Sequence, residues 1–418
     1  AFDAADAVHS INRVLAEDSQ SARKSQLAVI NSVEATDPQT LTVTLSQRSI
    51  SLPYNLSYLW MVPEGFDSQT ETDGTGPYTL ASREADARTV LKAYPAYWGK
   101  GQFPLDVTEL QYVPIKSAAT RVAALLSGEV DFLQDVPAQD VARLKADEHL
   151  MVKSGLENRT IFLGLDVGSK VLRHSSVKDR NPLADARVRE ALALAIDRDA
   201  IRKAVMRGLS SPTGILAPPF VNGYTEALAA FPKADPARAR QLLAEAGYPQ
   251  GFTLTLDAPN DRYVNDEAIA TAVAGFLGRI GVKVTVQARP FALHNAVLTK
   301  GESDFYLYGW GVPTHDSAYV FDYLVHTRGK NRLGTWNITG YSNADIDAQI
   351  ESLSTEADRN KRNATIARIW EATKQAGFYI PLHDQMITSA ARRGIEVPLH
   401  PNNITYFKFV TVQGPTRQ

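Results

Sequence analysis

The sequence contains no cysteine among its 418 residues, and this absence excludes several kinds of chemistry. Without a thiol the chain has no disulfide, no Cys-ligated zinc, no iron–sulfur cluster and no cysteine nucleophile. Freedom from stray thiols suits an oxidising compartment, although cytosolic proteins can show it too. The cysteine count therefore removes possible activities without fixing a location.

Long apolar runs and an excess of one charge are missing as well. No uninterrupted apolar stretch is long enough to cross a bilayer. Lys and Arg total 44 against 46 Asp and Glu, which gives a formal net charge of −2. Because no basic surplus is available to neutralise phosphates, we expect no nucleic-acid partner. The first residues also lack the basic start and apolar core of a signal peptide.

What remains is ordinary globular composition, with 44% hydrophobic and 22% charged residues. At roughly 150 residues per domain, this length predicts two or three domains. Apolar residues at helical spacing predict a helix over 3–17 with Asp3 as its N-cap. Two alternating runs joined at Asp37-Pro38 predict a β-hairpin. From 78 to about 167 strands and helices alternate, which predicts an α/β sheet.

The clearest local pattern lies between 235 and 310. Asp235 and Pro236 are typical of a helix start, and Gly247 is typical of its end. Strands follow over 252–256 and after Gly281, with a helix between them, so this region predicts a βαβ unit.

The run 303–310 predicts a third strand that ends before Trp310. Alternation places Phe305 and Leu307 in a core and points Tyr306 and Tyr308 towards a neighbouring layer. We expect Trp310 to fall outside this strand and to contact ligand, since ligands of open α/β sheets gather beyond the carboxyl ends of strands. Further along the chain, two helices are predicted over 343–376 and strands over 378–391 and 404–412.

Catalytic motifs are not found. None of the eight histidines lies in an H-E-x-x-H pair, and no serine lies in G-x-S-x-G. The run Gly74–Pro77 resembles a phosphate loop only superficially, because no Gly-Lys-Ser/Thr closes it and a strand follows. We therefore predict a protein that is not an enzyme and that has no cofactor and no metal site.

Several segments together resemble the family 5 extracytoplasmic solute-binding proteins of ABC importers, which include receptors for oligopeptides, dipeptides, glutathione and nickel. Each segment alone is weak, but their order and spacing run through essentially the whole chain. The matching segments are Phe2–Asn12, Gly74–Tyr78, Tyr97–Trp98, Arg121–Asp131, Asn181–Leu192, Ala195–Arg198, Asp235–Pro249, Gly309–Trp310 and Gly340–Asn343.

The resemblance implies an α/β, periplasmic-binding-protein-like fold of two lobes with an extra inserted subdomain and two hinge strands. The inserted subdomain is expected at 1–72, lobe I at 73–165 and 385–418, and lobe II at 166–384. The family's signal peptide and first strands have no counterpart before residue 2, so we expect an N-terminally truncated chain.

The resemblance also implies a function: capture of a solute in the cleft between the lobes, by closure and without chemistry. A periplasmic monomer is expected, with a small-molecule or peptide ligand and an ABC permease as partners. A short peptide or glutathione is the favoured ligand, and a nickel chelate or another small organic solute is the alternative. An enzyme or a signalling receptor on a similar two-lobed frame is a further alternative.

Six residues are predicted to bind the ligand. In peptide-binding members an aspartate three residues after the tryptophan pairs with the ligand's amine, and here that position is Pro313. Asp316 could take over this role, but it could equally be a helix cap over 317–324. The predicted ligand-binding residues are Trp310, Tyr308, Thr314, Asp316, Arg159 and Asn158.

Overall fold

The protein is described here by a computed structural model covering residues 2–21, 23–66, 73–329 and 333–413. The chain forms two compact units. Unit 1 comprises Ala1–Lys153, Thr388–His400 and Ile404–Gln418, and unit 2 comprises Ser154–Ile387 and Pro401–Asn403. The finer division predicted from sequence, with boundaries near 72, 165 and 384, stays a prediction. Its first boundary lies in 67–72, outside the described residues.

The first part of the chain builds most of unit 1. Its helices and strands, in chain order, are α1 (Ala4–Leu15), β1 (Ile30–Asp37), β2 (Thr40–Leu45), α2 (Leu52–Ser57), β3 (Tyr78–Glu84), β4 (Arg88–Ala93), β5 (Glu109–Tyr112), α3 (Ala118–Ser127), β6 (Phe132–Leu133) and α4 (Val141–Lys145). Strand β7 (Leu150–Leu165) then carries the chain from unit 1 into unit 2.

Unit 2 contains the larger sheet and most of the longer helices. Its elements are α5 (Ala186–Ala195), α6 (Arg198–Ala200), β8 (Ser210–Pro212), α7 (Glu226–Ala229), α8 (Pro236–Glu245), β9 (Thr253–Pro259), α9 (Asp266–Gly278), β10 (Lys283–Arg289), α10 (Phe291–Thr299), β11 (Phe305–Trp310), α11 (Ala318–Val320), α12 (Ala344–Ser352) and α13 (Arg359–Ala376). Strand β12 (Tyr379–Arg392) returns the chain to unit 1, where β13 (Ile395–Glu396) and β14 (Thr411–Val412) pair.

Local signals explain why several of these elements form where they do. Asp3 caps α1 by accepting from the backbone N–H groups of Ala5 and Asp6, which satisfies two donors that a helix start leaves open. Asp235 caps α8 in the same way, and Pro236 occupies its first turn. Gly247 ends α8 with a φ of +90°, a conformation that costs glycine nothing. These predictions are confirmed.

Unit 1 contains small antiparallel sheets. Strands β1 and β2 form the predicted hairpin, and β3, β4 and β5 form a three-stranded meander. The strand predicted over 404–412 is wrong for most of its length, because Phe407–Phe409 form a 3₁₀ turn and only Thr411–Val412 pair as a strand. Its partner β13 is two residues long, so the ladder can extend no further.

The large sheet of unit 2 positions the candidate site. Its strands lie in the order β10-β9-β11-β7-β12, with β8 pairing with β12. Strands β9 and β10 are parallel and α9 connects them, which confirms the predicted βαβ unit. Strand β11 runs antiparallel to β7.

Two apolar clusters cover the faces of this sheet. The first contains Phe305 and Leu307 of β11 together with side chains of α5, α8 and α9. The second contains Tyr306, Tyr308 and Trp310 together with side chains of α12 and α13. The alternation predicted for β11 is therefore confirmed, and it continues to the strand's last residue.

Candidate functional site

The end of β11 places two of the predicted residues on one face of the sheet. In the ladder with β7, Tyr308 lies opposite Phe162 and Trp310 lies opposite Thr160. The expectation that Trp310 falls outside the strand is wrong, because pairing with β7 extends β11 through this residue. Trp310 therefore points to the same side as Tyr308.

Tyr308 lies among other rings. Its ring centroid is 5.8 Å from that of Trp336, 6.0 Å from Phe291 and 6.3 Å from Tyr263. Its hydroxyl donates to Asn295 Oδ1 at 3.0 Å. Burial raises the pKa of Tyr308, so the hydroxyl stays protonated at neutral pH and serves as a donor.

Trp310 lies against a second group of rings. Its centroid is 5.9 Å from those of Tyr319 and Tyr323 and 6.0 Å from that of Trp336. We call these rings and those around Tyr308 the aromatic cluster; its members are Tyr263, Phe291, Tyr308, Trp310, Tyr319, Tyr323 and Trp336. Trp310 is 9% exposed, and its buried Nε1–H finds no acceptor within the described part of the chain. An indole N–H normally has a partner when buried, so this donor is available to an acceptor from outside.

A π-helical turn shapes the wall beside Trp310. Helix α11 continues as a π-helix over Phe321–Val325, and the rings of Tyr319 and Tyr323 lie 4.7 Å apart. Turns of this kind recur at functional sites because they displace side chains from ordinary helical positions.

Tyr263, just before α9, is the last member of the aromatic cluster. Its ring packs against Gly309, where no side chain occupies the space. Its hydroxyl donates to the carbonyl of Gly309 at 3.3 Å. A Cβ at Gly309 would lie 2.7 Å from the Tyr263 ring and 2.9 Å from Ile161, closer than such contacts occur. Burial raises the pKa of Tyr263 to about 12. The glycine before Trp310 is thus needed so that Tyr263 can lie against β11.

Two guanidinium groups border the cluster. Arg159 Nε donates to Glu157 Oε1 at 2.9 Å, and Arg159 Cζ lies 5.5 Å from the centroid of Tyr263. Arg262 Cζ lies 6.0 Å from the same centroid and 5.2 Å from that of Phe291. We find no acceptor for the Nη groups of either arginine among the residues that the structure describes. The two arginines can therefore offer hydrogen bonds to an anionic group.

Sequence reasoning missed Arg262. It follows the carboxyl end of β9 and precedes α9, and that position in an open α/β sheet is where ligands gather. An arginine next to a tyrosine at this point was a usable signal.

Asn158 is placed at the site but is fully engaged. Its Nδ2 donates to the carbonyl of Val312 at 2.8 Å and to Asn402 Oδ1 at 3.0 Å, and its Oδ1 accepts from the N–H of Val312. Its own N–H donates to the carbonyl of Pro401. Asn158 thus fastens 401–403 and the end of β11 to β7, and its predicted contact with ligand stays a prediction.

The loop after β11 holds Thr314 and Asp316, and their polar atoms are also paired. Arg362 donates to both oxygens of Asp316, at 2.6 and 2.8 Å, and Asn222 Nδ2 adds a contact at 3.0 Å. Asp316 Oδ1 also accepts from the N–H of Ala318, the first residue of α11, while the N-cap position of that helix is Ser317. Thr314 is buried, with its hydroxyl 3.5 Å from the carbonyl of Asp316. Ligand contact by either residue stays a prediction.

Neither a metal site nor a membrane-spanning helix is found in the described ranges. They contain no set of three His, Asp or Glu side chains arranged to hold a metal ion. Within the same ranges, no helix combines the length and apolarity that a bilayer crossing requires.

Comparison with known proteins decides the family. The model of the bacterial extracellular solute-binding proteins, family 5, matches residues 1–332. The chain belongs to this family. Family 5 proteins bind small solutes or peptides and work with ABC permeases. The resemblance seen in the sequence and the predicted α/β, periplasmic-binding-protein fold are both confirmed.

Individual family 5 relatives are distant but extensive. A glutathione-binding protein of Salmonella paratyphi A is 26% identical over 420 residues, covering 97% of this chain and 77% of the relative. A heme-binding protein of Haemophilus influenzae is 28% identical over 356 residues, covering 80% and 61%. The structure of the binding protein AgaA from A. tumefaciens R10, in complex with agropinic acid, superposes with a TM-score of 0.80 at 24% identity, covering 99% and 84%.

Proposed function

We propose that this family 5 protein is a periplasmic receptor that binds a peptide-like, anionic solute and delivers it to an ABC permease without chemical change. A short peptide or glutathione fits this description, and the distant glutathione-binding relative supports it. We further propose that the receptor acts as a monomer and is not an enzyme.

The observation that carries the proposal is the pair of arginines beside the aromatic cluster. Arg159 and Arg262 both lie within 6.0 Å of the Tyr263 ring centroid, with Nη groups that have no acceptor within the described residues. A planar guanidinium matches a carboxylate in two parallel hydrogen bonds. The indole N–H of Trp310 adds one more donor.

Affinity can arise from these groups together. Micromolar binding corresponds to about −8 kcal/mol, after the costs of ordering the partners are subtracted. Aromatic rings bury much ligand surface at small entropic cost, and the paired donors supply orientation.

The test is native mass spectrometry of gently purified protein, followed by calorimetric titration with reduced glutathione and with tri-alanine. The fragmentation spectrum of any released ligand would show whether it is a peptide, glutathione or a metal chelate. Arg262→Met should weaken binding at least tenfold and change the free energy of unfolding by less than about 0.5 kcal/mol, because Arg262 is exposed.

Arg202→Met is the matched control, since Arg202 is an exposed arginine on the π-helical turn Ile201–Val205. It should leave binding unchanged. Equal loss in both variants, or turnover of a bound compound, would contradict the proposal.

A further inference from the structure

Asp384 is a buried carboxyl group close to the candidate site. It lies on β12, is 1% exposed, and accepts a hydrogen bond from Thr160 Oγ1 at 2.6 Å. Thr160 is the residue directly opposite Trp310 in the β7–β11 ladder. Thr160 therefore links the two: its side chain donates to the carboxyl group of Asp384, and its backbone lies opposite Trp310 of the aromatic cluster.

Among the residues that the structure describes, no cationic side chain is paired with this carboxyl group. In the described part of the chain, no Arg, Lys or His forms an ion pair with Asp384. On its own strand His383 is buried, and burial lowers the pKa of that ring to about 3, so it is neutral. Ser211 on β8 lies opposite Asp384 in the backbone ladder. The pKa of Tyr224, before α7, is raised by burial and also by the negative charge of Asp384.

The charged residues of β7 that are nearest in sequence to Thr160 are paired with each other and not with Asp384. Glu157 is bonded to Arg159 and to the amide of Gln385, which follows Asp384 in β12. Arg198 donates to the carbonyl of Pro381 and forms no ion pair with Asp384. Asp384 is thus an acid held by one neutral donor.

A carboxyl group that is buried without a cation ionises at a higher pH than one in water. Desolvation raises the pKa of Asp384 to about 7, and the hydrogen bond from Thr160 opposes this only in part. The group therefore changes charge within the ordinary pH range.

We propose that Asp384 couples solute binding to proton uptake: binding of an anionic solute protonates Asp384, and affinity falls as pH rises. This inference rests on the proposed function. A solute carboxylate and an ionised Asp384 repel each other. This repulsion favours the neutral acid in the complex, and linkage requires that protonation then favours binding equally.

The experiment is calorimetric titration of the protein with reduced glutathione across the pH range, in buffers of different ionisation enthalpy. We expect net proton uptake on binding and a loss of affinity of about tenfold between pH 6 and pH 8. Asp384→Asn, which keeps an acceptor for Thr160, should bind with no proton uptake and a flat pH profile. Thr160→Val should move the midpoint of the profile to higher pH, since the donor that favours the ionised form is lost.

A second buried acid provides the matched control. Burial raises the pKa of Asp322 to about 7 as well, but its charged neighbours are His326, Asp316 and Arg362. Asp322→Asn should keep the proton uptake and the pH profile of the unmodified protein. A flat profile in Asp322→Asn, with an unchanged one in Asp384→Asn, would overturn the proposal.

The outcomes separate this inference from the proposed function. Binding that is independent of pH in the unmodified protein would overturn the inference and leave the receptor function intact. Failure of glutathione and tri-alanine to bind at any pH would count against the proposed function. In that case carboxyl ¹³C NMR of the unliganded protein still decides, because a midpoint for Asp384 below about 5 would overturn the inference.

Discussion

The loop after β11 and the arginines beside Tyr263 are both rich in polar groups, but they differ in how far those groups are already paired. In the loop, Asp316 receives two hydrogen bonds from Arg362 and one from Asn222. Beside Tyr263, Arg159 and Arg262 keep their Nη groups without an acceptor in the described residues.

This difference separates groups that hold the site from groups that can bind a solute. A side chain whose hydrogen-bonding capacity is used internally would have to break those bonds to meet a ligand, at the full cost of desolvation. A guanidinium group with unused donors has no internal hydrogen bond to break, so it avoids this cost. Substitutions in the two regions should therefore divide into effects on stability and effects on affinity.

The largest effect is expected for Arg362→Met in the paired region. It leaves the carboxylate of Asp316 without its cation, so the free energy of unfolding should fall by about 4 kcal/mol. Denaturant unfolding monitored by fluorescence measures this loss. Arg359→Met, at an exposed position on the same helix, is the control and should cost little. A loss below about 1 kcal/mol in Arg362→Met would mean that the ion pair is not structural.

A smaller effect on stability is expected for Trp310→Ala. This variant tests a residue that is expected both to stabilise the fold and to bind the solute. Trp310 is buried in the aromatic cluster, so truncation should lower the free energy of unfolding by about 3 kcal/mol and also weaken binding. Trp310→Phe keeps a ring but removes the N–H, and should weaken binding with a smaller loss of stability. Unchanged affinity in Trp310→Phe would show that the indole N–H does not meet the solute.

The smallest effect is expected for Asn158→Ala. Its amide bonds to Val312 and Asn402 would be lost, which should cost about 2 kcal/mol of unfolding free energy. Asn402→Ala removes only one of these bonds and should cost less. A marked loss of affinity with unchanged stability would instead place Asn158 among the solute-binding residues.

The sequence predicted elements whose signals are local. The caps of α1 and α8, the hairpin of β1 and β2, and the alternation in β11 each depend on residues a few positions apart. The resemblance to the family added the fold, because many weak segments agreed in order and spacing.

Contacts between distant parts of the chain could not be predicted from the sequence. Asn158 lies 154 positions from Val312 and 244 from Asn402, and no local pattern shows that its amide is used there. Trp310 seemed to follow the strand only because its partner, Thr160, belongs to a segment far away in sequence. The pairing state of a polar side chain is a property of the folded chain, so residue type alone left Asp316 undecided.

The division of the chain has a consequence for the order in which the molecule is made. Unit 2 is almost contiguous, since Ser154–Ile387 supplies all of it except three residues. Unit 1 is interrupted, and its short strand β6 pairs with Ala390 and Ala391 of β12. Chains that are synthesised or exported from their N-terminus can complete unit 2 first, while Ala1–Lys153 waits for the segment that begins at Thr388. During that interval β6 has no partner strand, whereas the hairpin of β1 and β2 and the meander of β3, β4 and β5 are already complete within the earlier segment.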